Sequence, residues 1–231
     1  MSLTEKNIRE KIFHNDLQSK PKGRFENIFY KALYNLTEDF FNKLKIFSKN
    51  AKILDYGCGT GSSLKKVIEF EPKKIVGIDI SDVSIDKARS NIGSHKDNLE
   101  LIVDNCEKTK FGENEFDLVY GTGILHHLQI DQCLNEISRV LKPGGRFLCL
   151  EFSKIQNSNL DFVYKNYSKI IPHIGQFIVG DKKPYEYLIK SIDEFINQEE
   201  LIDLMKIHNF TKCNYRNFSG GIVSIHNGWK I

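Results

Sequence analysis

Ile53-Leu54-Asp55-Tyr56-Gly57-Cys58-Gly59-Thr60-Gly61 passes from residues that suit a strand covered on both faces to glycines at every second position. Those glycines let the backbone turn tightly and leave room for a ligand to approach it. A helix starting near Ser62 would aim its free amides and the positive end of its dipole into the same space. The spacing is G-x-G-x-G. The dinucleotide fingerprint G-x-G-x-x-G would need a glycine where this chain has Ser62. Alone, such a turn is also compatible with an ordinary strand-to-helix loop, so its meaning depends on what surrounds it.

Downstream, strands and helices alternate. Lys74–Asp79 reads as a second buried strand ending in an acid, and Ser81 or Asp82 caps a helix that runs to about Asn91. Leu99–Val103 is a third strand and Phe116–Gly121 a fourth, followed by a helix over Ile130–Leu141. Lys142-Pro143-Gly144-Gly145 is read as a sharp stop before a fifth strand, Arg146–Phe152. This alternation predicts a doubly wound, mostly parallel sheet. Residues 158–196 read as helical and rich in tyrosine and phenylalanine, with breaks at Pro172, Gly175 and Gly180. A helix over Gln198–His208 and strands Thr211–Tyr215 and Gly221–His226 close the chain. The short 217–220 link makes the last strand antiparallel to its neighbours.

Upstream, residues 4–16 are polar with scattered apolar positions, and Lys20-Pro21-Lys22-Gly23 breaks any helix there. From Phe25 to Phe47 apolar residues recur at helical spacing, as one helix or as two with Thr37 capping the second. Their apolar face is either core or a lid over a hydrophobic substrate. The resulting organisation is one α/β domain over 1–231: a helical lid (1–49), a core (50–152), a helical insert (153–197), and a closing helix and hairpin (198–231).

Bulk composition narrows the function classes. The 33 basic and 30 acidic residues leave a net charge of +3, which gives no bias toward nucleic acid. No apolar run is long enough for a bilayer, and the start of the chain lacks the apolar core of a signal peptide. Five scattered cysteines, with no C-x-x-C pair, read as buried thiols in a reducing compartment. A cytoplasmic protein with no metal site is expected. The sequence leaves its oligomeric state open.

The order of motifs resembles the class I S-adenosylmethionine-dependent methyltransferases over residues 50–152. The resemblance rests on Asp55-x-Gly57-x-Gly59-x-Gly61, Asp79 at the end of strand two, Phe116-Asp117-Leu118-Val119, and Arg139-Val140-Leu141-Lys142-Pro143-Gly144-Gly145-Arg146. It implies a seven-stranded Rossmann-like sheet and S-adenosylmethionine as cofactor. Asp79, with Ile80 beside it, would take the ribose hydroxyls. Gly57, Gly59, Thr60 and Gly61 would lie against the amino-acid end, and Asp55 would hold the turn or accept from the ammonium. Asn105 would take the adenine amine, with Cys106 beside it and Asp104 left as a solvated loop residue. Thr122 would lie near the transferred methyl.

A narrower resemblance, to the ubiquinone/menaquinone biosynthesis C-methyltransferases, runs from Arg139 through Ser153-Lys154. It continues in Ile171-Pro172-x-Ile174-Gly175, Tyr185-x-Tyr187-Leu188 and Ser219-Gly220-Gly221-Ile222-Val223-Ser224-Ile225-His226. That family's Tyr-Asp-x-Met-Asn segment is not found in residues 10–47, and its Arg and Asn after strand four are replaced by His126 and His127. The resemblance implies C-methylation of a prenylated quinol, with transient contact at a membrane surface. His126 is the first candidate for the catalytic base and His127 the second, with Tyr185, Tyr187 and Asp181 behind them. An O- or N-methyltransferase acting on another small metabolite shares the same core, as does a non-catalytic cofactor-binding relative.

Overall fold

Successive residues of the buried strands pack into opposite layers, as the two-residue period of a strand requires. Leu54, Val76, Val119 and Phe147 join one core, together with Cys133, Leu134, Ile137, Leu201 and Met205. Ile53, Ile75, Leu118 and Leu148 join a second, together with Phe40, Leu44, Leu64, Val67 and Ile85. The computed structural model describes residues 3–19, 37–93, 97–179 and 182–231.

The first half contains α1 (Glu5–Ser19), α2 (Glu38–Ser48), β1 (Lys52–Tyr56), α3 (Ser62–Ile68), β2 (Lys74–Asp79), α4 (Asp82–Ile92) and β3 (Leu99–Val103). Then come β4 (Phe116–Thr122), a 3₁₀ turn (Leu125–His127), α5 (Ile130–Val140) and β5 (Leu141–Phe152). The C-terminal part holds α6 (Ser158–Val179), α7 (Lys183–Glu194), α8 (Gln198–Ile207), β6 (Phe210–Phe218) and β7 (Val223–Lys230). Thus α5 and α8 cover one face of the sheet, and α2, α3 and α4 cover the other.

The seven strands lie in the order β3-β2-β1-β4-β5-β7-β6, and β7 runs antiparallel to both β5 and β6, as expected. The order reverses between β1 and β4, so the loops leaving those two strands diverge and open a crevice at their C-terminal ends.

Several boundaries differ from the sequence reading. Lys142-Pro143-Gly144-Gly145 is an excursion inside β5: the β4–β5 register passes from Phe116↔Leu141 to Leu118↔Arg146. Asp117 accepts from both Lys142 Nζ (2.6 Å) and the Lys52 amide (2.8 Å), which ties the corner to β1. Pro172 and Gly175 do not break the insert, since α6 runs continuously through them. Thr37 precedes α2 with helical backbone angles (φ −89°, ψ −5°) and makes no side-chain cap. The polar start of the chain forms α1, whose packing the apolar pattern did not reveal. Residues 20–36 and 180–181 lie outside the described residues, and with them the first part of the proposed lid, the Lys20–Gly23 break, Gly180 and Asp181.

Candidate active site

The glycine turn leaves β1 through three left-handed residues, Gly57 (φ +77°), Gly59 (φ +51°) and Gly61 (φ +79°). A side chain is sterically costly there, and at Gly57 and Gly61 the space is already taken. A Cβ on Gly57 would lie 2.5 Å from Ile124 Cγ1, and one on Gly61 would lie 2.8 Å from Ile92 Cδ1. Ile124 therefore locks the loop after β4 onto the loop after β1. The amides of Gly57 and Cys58 both donate to the Ile78 carbonyl, at 3.0 and 2.8 Å, which anchors the turn to β2.

Asp55 is fully buried beneath this turn. Its Oδ2 accepts from Ser63 Oγ (2.7 Å) on α3 and from the Tyr120 hydroxyl (2.8 Å) on β4, so it joins three elements. Its Oδ1 is buried without a hydrogen-bond partner. Burial pushes the carboxyl up to about 7, against the two hydroxyls that pull it down. Of the two roles considered for Asp55, holding the turn is the one visible here.

Asp79, at the end of β2, accepts from the Gly59 amide (2.9 Å) on Oδ2 and from the Ser81 amide (2.8 Å) on Oδ1. Ser81, in turn, caps α4 by accepting from the Ser84 amide at 2.9 Å. Asp79, Ile80, Gly57, Gly59, Thr60, Asn105 and Thr122 are all partly exposed. Asn105 Oδ1 accepts from the Glu107 amide (2.9 Å), and its Nδ2 donates to Asn7 Oδ1 (3.2 Å). Thr122 forms the last rung of the β4–β5 pairing, opposite Leu150.

One assignment from the sequence changes, that of Asp104, and its neighbour Cys106 lies deeper than Asn105. Cys106 is 4% exposed and packs in the core beside Asn105, and its carbonyl accepts from the Tyr56 hydroxyl. Asp104 is buried, not solvated, and fixes the loop by accepting from the amides of Asn105 (3.0 Å) and Lys110 (3.0 Å).

His126 and His127 are both buried in the 3₁₀ turn after β4. His126 Nδ1 lies 2.7 Å from Glu151 Oε1. Glu151 also accepts from the Leu125 amide (2.8 Å) and the Phe152 amide (2.9 Å). Burial alone would raise the Glu151 carboxyl, but the histidines and these donors hold it below its ordinary value. An ionised Glu151 can only accept, so Nδ1 is the nitrogen that carries the proton toward it, and Nε2 is left buried with no partner. The sequence reading gave Glu151 no role. Its signal was an acid within the otherwise apolar run Phe147–Phe152, buried at 1% exposure.

His127 points elsewhere. Its ring stacks on Tyr187 (5.8 Å between centroids, 2° between planes), and its Nδ1 lies 3.4 Å from Glu10 Oε2. Glu10 also accepts from the Tyr187 hydroxyl. Helix α1 spans the loops beyond three strand ends. Asn15 bonds Asp82 and Ser81 after β2, Asn7 bonds Asn105 and Glu107 after β3, and Lys6 Nζ donates to the Leu128 carbonyl after β4. Tyr185 is partly buried on α7.

A strand-end crevice at the β1/β4 reversal, a G-x-G-x-G turn, an acid closing β2 and an antiparallel β7 together match the methyltransferase class of Rossmann-like folds. An S-adenosylmethionine-dependent methyltransferase from Mesorhizobium loti shares this fold, with a TM-score of 0.61 and 13% identity over 84% of this chain and 97% of that one. In sequence, the model of the ubiE/COQ5 methyltransferase family matches residues 5–230. The ubiquinone/menaquinone biosynthesis C-methyltransferase UbiE of Rickettsia bellii is 35% identical, covering 96% of this chain and 97% of its own length. The protein of the same name from Brucella canis is 39% identical over 77% of this chain and 68% of its own. The chain belongs to the ubiE/COQ5 family and is an S-adenosylmethionine-dependent methyltransferase.

Proposed function

We propose that residues 1–231 act as one methyltransferase unit that methylates a ring carbon of a prenylated hydroquinone, with His126 as proton acceptor and Glu151 as its positioning residue. The observation that carries this reading is the buried, unpartnered Nε2 of His126, whose opposite nitrogen is held 2.7 Å from Glu151. The names of the relatives, ubiquinone/menaquinone biosynthesis C-methyltransferases, support the substrate class.

The residues present suit S-adenosylmethionine. The left-handed glycine turn leaves the backbone bare where a ligand must come close. Asp79 offers a carboxylate at the β2 end of the crevice, and the buried Asp55 adds an oxygen, Oδ1, without a hydrogen-bond partner beneath the turn. Gly57, Gly59, Thr60 and Gly61 would hold its amino-acid end, Asp79 and Ile80 its ribose, and Asn105 its adenine. Cys106 would contribute only through its backbone, and Thr122 would lie near the methyl. When bound, S-adenosylmethionine supplies an electrophilic methyl group.

His126 Nε2 takes the phenolic proton, and the phenolate's electron pair makes the adjacent ring carbon nucleophilic. A carbon–methyl bond would form as the methyl–sulfur bond breaks and the thioether leaves. That carbon's own proton would then be lost to solvent while His126 returns its proton to the phenolic oxygen. Glu151 keeps the imidazole in the tautomer that can accept that proton and stabilises it once charged. Burial of His126, Leu125 and Glu151 keeps water from this position. On α6, Phe162, Val163, Tyr167 and Ile170 are exposed and offer an apolar surface for the prenyl chain or for brief contact with a membrane surface. No helix among the described residues is long and apolar enough to cross a membrane. We place the enzyme in the cytoplasm, with a small-molecule acceptor and no nucleic-acid partner.

The test is transfer of labelled methyl to demethylated prenylated hydroquinones and to small polar phenols, using the native chain and the His126→Ala and Glu151→Gln variants. Product from the prenylated acceptor, falling by about 10²–10⁴-fold in His126→Ala while S-adenosylmethionine binding is retained, is the expected result. Methylation of polar phenols alone would reject the acceptor, and full turnover in His126→Ala would reject the base.

A further inference from the structure

Three potential ligands converge beside the site, and the methyl-transfer chemistry does not use them as a group. Glu10 and His14 stand four residues apart on α1, one helical turn, and so share a face. His127 approaches that face from the turn after β4. One ligand atom from each of the three lies within 4.8 Å of the other two. Glu10 Oε2 is 3.4 Å from His127 Nδ1 and 3.7 Å from His14 Nε2. Two atoms that bind one tetrahedral cation at about 2.1 Å are separated by roughly 3.4 Å, so little movement would close the set.

We propose that Glu10, His14 and His127 form a binding site for a divalent cation of the zinc class. Two of the three ligand atoms, Glu10 Oε2 and His127 Nδ1, are buried without a hydrogen-bond partner. They face one another at 3.4 Å, a contact too long and poorly aligned to make a good hydrogen bond. A cation between them would satisfy both.

The supporting shell is in place. The Tyr187 hydroxyl donates to Glu10 Oε1, which turns the other oxygen toward the histidines. Tyr187 also stacks flat on His127 and fixes its ring plane. His14 keeps 26% of its side chain exposed, which provides an entry path. Two imidazoles and one carboxylate suit a borderline cation better than calcium or magnesium, which prefer all-oxygen shells. Three protein ligands also leave an open coordination position, as catalytic zinc sites do. The His126 ring lies only 4.0 Å from that of His127, so the open position would neighbour the proton acceptor. Cation binding stands independently of the methyl-transfer proposal. A role for the cation in holding the acceptor's phenolic oxygen would rest on it.

The experiment is titration of the chelator-treated full chain with cobalt(II) chloride, followed by visible ligand-field absorption and displacement with zinc. The expected result is one equivalent bound with a low-coordinate cobalt spectrum. The affinity should fall at least tenfold in His14→Gln and Glu10→Gln, fall about 10–100-fold in Tyr187→Phe, and hold in the control His208→Gln. Zinc should raise the thermal midpoint of the native chain by mass action and leave that of His14→Gln in place, a readout that each folded variant reports for itself. Tyr187→Phe keeps all three ligands and serves if Glu10→Gln fails to fold. Failure to bind cobalt, or binding of equal strength in the native chain and His14→Gln, overturns the site. Neither result depends on whether prenylated hydroquinones are methylated.

Discussion

Replacing Asp55 with asparagine should make the protein's stability rise relative to the native chain as pH increases. Asparagine keeps an oxygen for Ser63 and Tyr120 and removes the buried charge. In the folded chain, burial raises the Asp55 carboxyl to about 7, whereas the free side chain titrates at 3.8. Between those values the folded state holds a proton that the unfolded state has released, so native stability falls as pH rises and has fully lost this contribution above the folded pKa. About three decades, at roughly 1.4 kcal/mol for each, give roughly 4 kcal/mol. The assay is urea denaturation of both proteins in the ligand-free state from about pH 4 to about pH 8, read as the difference between their unfolding free energies. The subtraction removes most of what the other titrating groups contribute. A difference that stays constant within about 0.5 kcal/mol over that range would refute the account of Asp55 as a buried, unsatisfied carboxyl.

Gly57→Ala should cost about 2–4 kcal/mol by chemical denaturation, because the new methyl meets Ile124 at 2.5 Å in a left-handed backbone. His226 titrates near 4 in the folded chain because it is buried, with some compensation from the Gln198 carbonyl. Its contribution to stability is therefore present above about 6.5 and lost as pH falls toward 4, by roughly 3 kcal/mol, and His226→Gln should flatten that limb of the urea-midpoint profile. The Arg146 guanidinium lies 3.9 Å from the Phe47 ring centroid and 5.1 Å from that of Trp229, and bonds Asn227 Oδ1 at 2.9 and 3.2 Å. Arg146→Lys should lose the planar stacking and the two-pronged bond together, lowering stability by about 1–2 kcal/mol in thermal melts.

What was legible in the sequence follows from where the signal resides. The apolar pairs at 53/54, 75/76 and 118/119 specify strands covered on both faces, and the glycine spacing specifies the turn, so the core of the crevice could be read locally. Helix α1 could not, because it is held by Lys6, Asn7, Glu10 and Asn15 through hydrogen bonds and ion pairs to distant loops, and polar docking has no period to detect. Glu151 was hidden for a related reason: the carboxylate became meaningful only once His126, on the neighbouring strand's loop, was known to reach it. The burial of Asp104 was hidden because adjacent loop residues alternate between buried and partly exposed, and sequence alone does not say which comes first. The Pro-Gly-Gly corner was read as a boundary because its residues forbid regular pairing; β5 instead resumes its register on the far side.

The irregularity in β6 bears on how this molecule avoids its own kind. The β6–β7 register slips between Thr211 and Asn214, and Lys212 takes a left-handed backbone (φ +49°) at the slip. β6 is an outer strand of the sheet, with a row of backbone groups facing away from β7. A straight strand there would be a template for pairing with a second chain, the first step toward aggregates. The bulge bends that row, and the exposed side chains of Lys212, Asn214 and Arg216 place charge and polarity along it. Deleting Lys212 should straighten the edge and raise light scattering during refolding, a liability that the single extra residue removes.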